Sequence, residues 1–172
     1  MASKQTKSKQ SKTLQELFHD TLKDIYYAEK KILATLPKMA KAAQSEDLKE
    51  AFEKHRKETE DQVERLDRVF EEIDKKAQGK TCAAIVGITD EGAEIMKSYK
   101  GSPALDAGLL SAAQAVEHYE ISRYGTLIAW AEELGLEEAV SLLEETLEEE
   151  KATDEALTKI AETAINQQAE AA

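Results

Sequence analysis

The chain has 172 residues and a net charge of −12 at pH 7, and its length fits one domain with a sizeable core. Only two prolines and seven glycines occur, and 34% of the residues are charged, which favours helices over a sheet-rich fold. The negative charge argues against binding of nucleic acid or an anionic membrane by the main body. The single cysteine excludes an intrachain disulfide bond, and no apolar run approaches membrane-spanning length.

Both ends of the chain are polar. Residues 1–12 carry four lysines and no acid, and we interpret them as a flexible basic tail before a helical domain at 13–166. Residues 167–172 are interpreted as a frayed tail. Because the first residues contain no apolar core of a secretory signal, we expect a cytoplasmic protein.

Two long amphipathic helices are predicted in the first half of the chain. The first runs over about residues 14–43 and begins with a capping box formed by Thr13 and Glu16. The second runs over about residues 46–75, with Ser45 as its N-cap. Midway along this second helix the apolar stripe gives way to polar residues at inward positions, a pattern typical of a binding site or a hydrogen-bond network. These inward polar residues are His55, Thr59 and Gln62.

The second half of the chain predicts another helical pair after a long connection. Residues 76–103 contain a shorter helix at about 82–99 and are too long for a tight turn, so we expect them to cross the bundle. The second and third long helices then run parallel. The third runs over about 103–134 and ends at Gly135, and the fourth runs over about 136–165. This order predicts an all-α four-helix bundle with a long crossover that carries an additional helix.

The centre of the third long helix places two acids on its apolar face. The apolar residues recur every three or four positions and form one stripe. At roughly 100° per residue, Glu120 falls at the centre of that stripe and Glu117 falls about 60° to one side. An ionised group that points inward is costly unless something compensates its charge. The stripe consists of Leu109, Ala113, Val116, Tyr124, Leu127, Ala131 and Leu134.

The other long helices carry acids at the same height. Four helices of similar length in one bundle place their midpoints at about the same level. The acids nearest these midpoints, together with one histidine, should therefore converge on one buried point. The predicted metal ligands are Glu29, His55, Glu58, Glu117, Glu120, Glu150 and Asp154.

The charge at this point predicts bound metal. No Lys or Arg lies on the inward stripes near the midpoints, and six carboxylates would repel one another strongly at low dielectric. Two divalent metal ions would relieve that repulsion, and oxygen-rich ligands with one imidazole suit iron or manganese. The alternative for each acid is a buried carboxyl that is protonated or bonded to water.

The three histidines of the sequence differ in their predicted positions. His55 is either a ligand or a satisfied core residue, and Glu120 or Asp154 is either a ligand or an acceptor that orients it. His118 points outward by helical geometry, and His19 lies off the stripe of its helix. Both are therefore excluded as ligands.

Three further polar residues lie near the predicted site. Gln62 and Thr59 are interpreted as network or packing residues rather than ligands. Tyr124 is interpreted in the same way, with a hydrogen-bonding or redox role beside the site as the alternative.

Four stretches of the chain resemble one known family. They are DIYYAEKKI at 24–32, HRKETEDQVERLDRVF at 55–70, AAQAVEHYEISRYGTLIAWAEELG at 112–135 and LLEETLEEEKATDEALT at 142–158. In these stretches the chain resembles the YciF/YciE-like proteins, a ferritin-like family of bacterial stress-associated proteins. The resemblance covers about residues 14–165. It implies a ferritin-like four-helix bundle with an extra helix, a homodimer, and a dinuclear metal site in the core.

The sequence departs from the broader ferritin-like pattern, in which each half supplies a Glu and a Glu-x-x-His. The second helix has the reversed order His55-x-x-Glu58, and the fourth offers Glu150 and Asp154 with no histidine. One imidazole therefore remains in the predicted ligand set.

Three functions remain open at this point. The first is an oxidoreductase-type protein that reduces peroxide or dioxygen at a pair of iron or manganese ions bridged by carboxylates. The second is a non-catalytic stress-associated protein in which the metal is structural or sequestered. The third is a metal-free helical scaffold whose buried carboxyls share protons.

Overall fold

The computed structural model describes residues 12–171, so all but the last residue of the predicted basic tail lies outside the described residues. The described chain forms a helical bundle, as the sequence predicts. The helices are α1 (Leu14–Ala42), α2 (Glu46–Glu72), α3 (Ala83–Ser98), α4 (Leu105–Leu134) and α5 (Glu137–Ile160), followed by a π-helical turn (Ala161–Ile165) and α6 (Asn166–Glu170).

Four long helices form a closed ring around one core. Helix α1 packs against α2 and α4, and α5 packs against the same two helices from the opposite side. Asp106, at the start of α4, contacts the turn between α1 and α2, so α2 and α4 begin at the same end of the bundle and run parallel. At the other end, Glu72 accepts a hydrogen bond from Ala139 at the start of α5. The predicted parallel arrangement is therefore confirmed.

The crossover runs back along α1 and carries the additional helix. Lys80 N donates to Lys23 O at 3.0 Å, and α3 then packs against both α4 and α1. Helices α3 and α4 approach closely at Gly108, where an added Cβ would lie 2.6 Å from Cγ2 of Ile95. A glycine there keeps the additional helix against the bundle. No helix among residues 12–171 combines the length and apolarity needed to cross a bilayer.

The ends of the helices follow from local hydrogen bonding. The predicted capping box is present, because Glu16 N donates to Thr13 Oγ1 and Thr13 N donates to Glu16 Oε2. Gly135 ends α4 in the left-handed conformation, with φ of +70°, as predicted. Helical conformation continues beyond the predicted end of the fourth helix, from Ile165 to Glu170.

Two predicted boundaries are wrong. Helix α2 ends at Glu72 rather than Lys75, because Asp74 takes a left-handed φ of +53° and Lys75 N donates back to Phe70 O. This is the hydrogen bonding of a Schellman cap, with Asp in place of the usual glycine. Helix α4 begins at Leu105 rather than at residue 103, because a turn closed by the bond from Leu105 N to Ser102 O precedes it.

The N-terminus of α2 is capped from another helix. The side chain of Ser45, the predicted cap, makes no capping hydrogen bond. Instead, the buried carboxylate of Asp106 accepts from Gln44 N at 2.8 Å and from Ser45 N at 2.7 Å. One side chain of α4 therefore fixes the turn between α1 and α2.

Replacement of Asp106 by Ala should destabilise the fold by about 2–3 kcal/mol, because two backbone N–H groups lose a charged acceptor. Urea unfolding at pH 7 would measure this change. The matched control is Asp90→Ala on α3, an exposed acid whose loss should change the free energy of unfolding by less than about 0.5 kcal/mol. Equal effects of the two substitutions would contradict the capping role.

Candidate metal centre

The four long helices each bring at least one titratable side chain into the middle of the bundle. Glu29 of α1, Glu120 of α4 and Glu150 of α5 are fully buried, and Glu117 of α4 and His55 of α2 are 1% and 4% exposed. Each lies on the inward stripe of its helix, with apolar residues above and below it. The helical periodicity of the sequence therefore identifies these buried positions correctly.

Four of these side chains meet at one point. His55, Glu117, Glu120 and Glu150 each offer one ligand atom, and these atoms all lie within 4.8 Å of one another. Ligands at about 2.0–2.2 Å from a first-row metal ion lie at most about 4.4 Å apart across that ion. The cluster is therefore close to the size that one ion requires. We refer to these four residues as the central cluster.

Glu29 lies beside the central cluster. It accepts a hydrogen bond from the hydroxyl of Tyr124, which is itself fully buried. Glu29 also lies near Glu120, because the charge of Glu29 helps to raise the pKa of Glu120. Glu29 therefore adds a further carboxylate next to the four ligand atoms, although it is not among them.

The buried polar atoms of this region lack protein partners. Within residues 12–171, neither ring nitrogen of His55 and neither carboxylate oxygen of Glu120 has a hydrogen-bond partner. Oε2 of Glu29, Glu117 and Glu150 is also unpartnered. Nε2 of His55 is 3.4 Å from Oε1 of Glu117. Native interiors rarely leave so many polar atoms unsatisfied at one point, so the arrangement calls for a ligand or for bound protons.

Burial raises the pKa values of Glu29, Glu117, Glu120 and Glu150. It raises the pKa of Glu29 and of Glu117 to about 8, with repulsion from Glu150 adding to the effect at Glu29 and a hydrogen bond from Glu150 partly offsetting it at Glu117. Burial and the neighbouring carboxylates raise the pKa of Glu120 and of Glu150 well above the ordinary value. Without a cation, these acids are therefore held in the protonated form.

His55 is shifted in the opposite direction. Burial lowers its pKa to about 4, so the imidazole is neutral at pH 7. Thr59 donates to the backbone carbonyl of His55 and makes no hydrogen bond to the ring. A neutral imidazole with unpartnered nitrogens is the form that binds a metal ion.

Two predicted ligands lie closer to the surface. Glu58 is 23% exposed and pairs with Lys54 on its own helix. Asp154 is 24% exposed, accepts from Gln114, and lies 3.3 Å from Nε2 of His118. Neither joins the central cluster, but both carboxylates repel the charge of Glu117. His118 is 70% exposed, as its predicted outward position requires.

A second polar network braces α2 against α5. Gln62 is buried and donates to Glu150 of the central cluster and, at 3.1 Å, to Glu149. Arg65 binds both oxygens of Glu149 at 2.7 Å and also pairs with Glu145. The predicted network role of Gln62 is confirmed. The guanidinium of Arg65 thus forms its ion pairs with Glu145 and Glu149, and none with the central cluster.

Arg65 and Glu149 were not predicted from the sequence. Arg65 follows Gln62 by three residues, so the two lie on the same face of α2, and this spacing was the available signal. Glu149 lies next to the inward apolar stripe of α5 rather than on it. The partner of a charged side chain depends on which helix faces it, and the sequence alone does not identify that helix.

Comparison with known proteins places the chain in a family. A family model described as "Domain of unknown function (DUF892)" matches residues 13–170. The chain belongs to the DUF892 family. It is 46% identical over 160 residues to Protein YciF of Escherichia coli (strain K12), covering 92% of this chain and 96% of the relative. The resemblance to YciF-like proteins is therefore confirmed.

Solved structures support the same assignment. The crystal structure of the E. coli stress protein YciF matches with a TM-score of 0.86 and 44% identity over 91% of this chain and 99% of that chain. YcfI from Rhodopseudomonas palustris matches with a TM-score of 0.84 and 46% identity over 88% of this chain and 96% of that chain. A Xanthomonas campestris pv. campestris protein at 23% identity shares the fold, with a TM-score of 0.68 over 89% of this chain and 94% of that chain. These similar structures confirm the predicted all-helical bundle.

The metal-free protein should become more stable as the pH falls from about 8 to 6.5. Because Glu29 and Glu117 have native pKa values of about 8 against an ordinary 4.5, the native state binds more protons than the unfolded chain between these values. Their stabilisation is complete below pH 4.5 and is lost as the pH rises through 8. Because the native pKa of His55 is lowered, its titration destabilises the native state as the pH falls below 6.5. The pH dependence of stability above pH 6.5 therefore reports on the acids. Urea unfolding in the presence of chelator measures the slope.

Glu117→Gln provides the comparison for this pH dependence, because the amide imitates the protonated carboxyl. It should reduce the slope, whereas Glu148→Gln on the exposed face of α5 should leave it unchanged. If the free energy of unfolding stayed constant or increased as the pH was raised from 6.5 to 8, the acids would not be held protonated.

Proposed function

We propose that this protein is a ferritin-like dinuclear metal-binding protein linked to the stress response, and that it reduces peroxide or dioxygen at a carboxylate-bridged site. The metal is iron or manganese. The observation that carries the proposal is the convergence of His55, Glu117, Glu120 and Glu150 within 4.8 Å in a buried space. The link to stress rests on the relative that is described as a stress protein. A cytoplasmic homodimer remains a prediction.

The residues present fit a divalent transition metal. The donor set is one neutral imidazole and several carboxylates, which suits iron or manganese better than a thiolate-binding metal. Among residues 12–171, no Lys or Arg side chain forms an ion pair with Glu29, Glu117, Glu120 or Glu150. Bound cations would neutralise these acids and give partners to the unsatisfied atoms.

The two ions would use different parts of the site. The central cluster would hold the first ion. Glu29, which lies near Glu120, would supply a carboxylate to the second ion. Glu58 and Asp154 would complete the second position or remain at its rim. When bound, iron or manganese supplies redox chemistry that protein side chains lack.

The chain's own residues would position and protect this site. Gln62 holds one oxygen of Glu150, and the hydroxyl of Tyr124 holds one oxygen of Glu29. These bonds restrict the carboxylates without occupying all their oxygens. The apolar layers on both sides exclude bulk water and strengthen each charge interaction within the site.

A non-catalytic role is the alternative, with metal that is structural or absent. The complete burial of Glu29, Glu120 and Glu150 favours this second function, because it restricts the access of an oxidant from solvent. The two functions differ in turnover and not in ligands.

Loss of a cluster ligand should weaken metal binding specifically. We expect Glu150→Gln and Glu117→Gln to lower Mn²⁺ affinity by at least about 10–100-fold. This is the loss usually measured when a residue that only hydrogen-bonds to a metal ligand is replaced. Titration of chelator-treated protein, followed by elemental analysis, measures affinity and stoichiometry. Glu148→Gln is the matched control on the exposed face of α5 and should bind as the unmodified protein does. Equal metal content in all four proteins would refute the site.

Turnover distinguishes the two functions. Protein loaded anaerobically with Fe²⁺ should show a change in iron absorption on addition of dioxygen or peroxide, and the change should be lost in Glu117→Gln. The structural alternative predicts a raised melting temperature with metal and no oxidant-dependent signal. Two ions per chain and repeated oxidation cycles support the first function, whereas one ion and no cycle support the alternative.

A further inference from the structure

A small cavity lies inside the bundle next to the central cluster. His55 and Glu117 form part of its wall, and the rest is almost wholly apolar. The space open to the centre of a water-sized sphere is about 20 Å³. The apolar wall comes from α1, α2, α4 and α5 and includes Ile32, Leu36, Phe52, Ala113, Val116 and Leu157.

The position of the cavity links it to the site. His55 and Glu117 face both the central cluster and the cavity wall, so a molecule in the cavity lies against two of the four ligand residues. The cavity lies on the side of the cluster towards the end where α4 begins, because its α1 residues extend to Met39. On the other side of the cluster, Gln62 and Tyr124 hold Glu150 and Glu29.

The wall offers little to a hydrogen-bonding molecule. Thr35 already donates its hydroxyl proton to the carbonyl of Lys31 at 2.8 Å. His55, Glu117 and Thr153 present almost no polar surface to the cavity, so its wall is apolar whether or not a metal is bound. A water needs two to four polar partners, and cavities without them stay dry and take up apolar molecules such as xenon. The volume exceeds the roughly 10–15 Å³ that a single water requires, so a diatomic molecule is of suitable size.

We infer that this cavity binds dioxygen, or another uncharged diatomic gas of that size, directly beside the metal centre. Hydrogen peroxide has two O–H groups to satisfy and is disfavoured in the same space. The use of the bound gas as oxidant rests on the proposed function, and it narrows the oxidant to dioxygen. Occupation of the cavity by gas is a property of the fold and does not need the metal.

The test uses the full chain after chelator treatment, so gas binding is measured without metal. Under xenon pressure, methyl resonances of Ile32, Ala113 and Leu157 should shift with a saturable dependence on pressure. Under dioxygen pressure, the same methyls should broaden more than methyls buried elsewhere, such as Leu22. Shifts that are absent, or that grow equally at all buried methyls, would overturn the inference.

Two variants with a control locate the effect. Ala113→Leu fills the cavity and should abolish the saturable shifts. Thr153→Val removes a wall hydroxyl at nearly constant volume and should leave xenon binding intact, whereas an occupant that is water would depend on that hydroxyl. Ala40→Leu, half-buried on α1 and outside the wall, controls for added bulk and should bind xenon normally. Loss of xenon binding in Thr153→Val with retention in Ala113→Leu would overturn the inference.

The two proposals fail separately. Xenon binding without Mn²⁺ uptake would refute the metal centre and leave the gas pocket in place. Mn²⁺ uptake without saturable xenon shifts would refute the gas pocket and leave the metal centre in place.

Discussion

The dominant constraint in this bundle is the burial of carboxylates that no cationic side chain among residues 12–171 neutralises. Glu29, Glu120 and Glu150 lose all contact with solvent, and an isolated ionised carboxylate is too costly to bury in an apolar interior. The cost of burying these charges must be offset by bound protons or by bound metal ions. The upward pKa shifts describe the first state, and the proposed dinuclear centre describes the second.

Other acids in the same fold show how a structural carboxylate is treated. Asp106 is buried and accepts two backbone N–H bonds, and the half-buried Glu149 accepts from both terminal nitrogens of Arg65 and from Gln62. Both are satisfied by protein donors. Glu120, in contrast, has no donor from residues 12–171 on either oxygen. This contrast within one chain separates acids that hold the fold together from acids that await a ligand.

The sequence predicted the helices and the buried acids because both follow from one periodicity. A stripe of apolar residues fixes which way each helix faces, so Glu117, Glu120 and Glu150 could be assigned to the core from the sequence alone. Because the four long helices are of similar length, His55 could be placed at the same level as these acids. These predictions need no knowledge of the neighbouring helix.

The remaining features depend on contacts between helices. Glu58 and Asp154 were predicted from their heights, but both are partly exposed, and Lys54 and Gln114 engage them. The cap by Asp106 joins residues about sixty positions apart, and the end of α2 depends on an unusual left-handed Asp74. Periodicity carries no information about such pairings.

The central claim is that buried acids exchange protons for metal. The most direct test is calorimetric titration of chelator-treated protein with Mn²⁺ at pH 7 in two buffers of different ionisation enthalpy. The account predicts that binding releases protons to the buffer, because the cluster acids are protonated before the ion enters. Binding without proton release, or no binding at all, would contradict it.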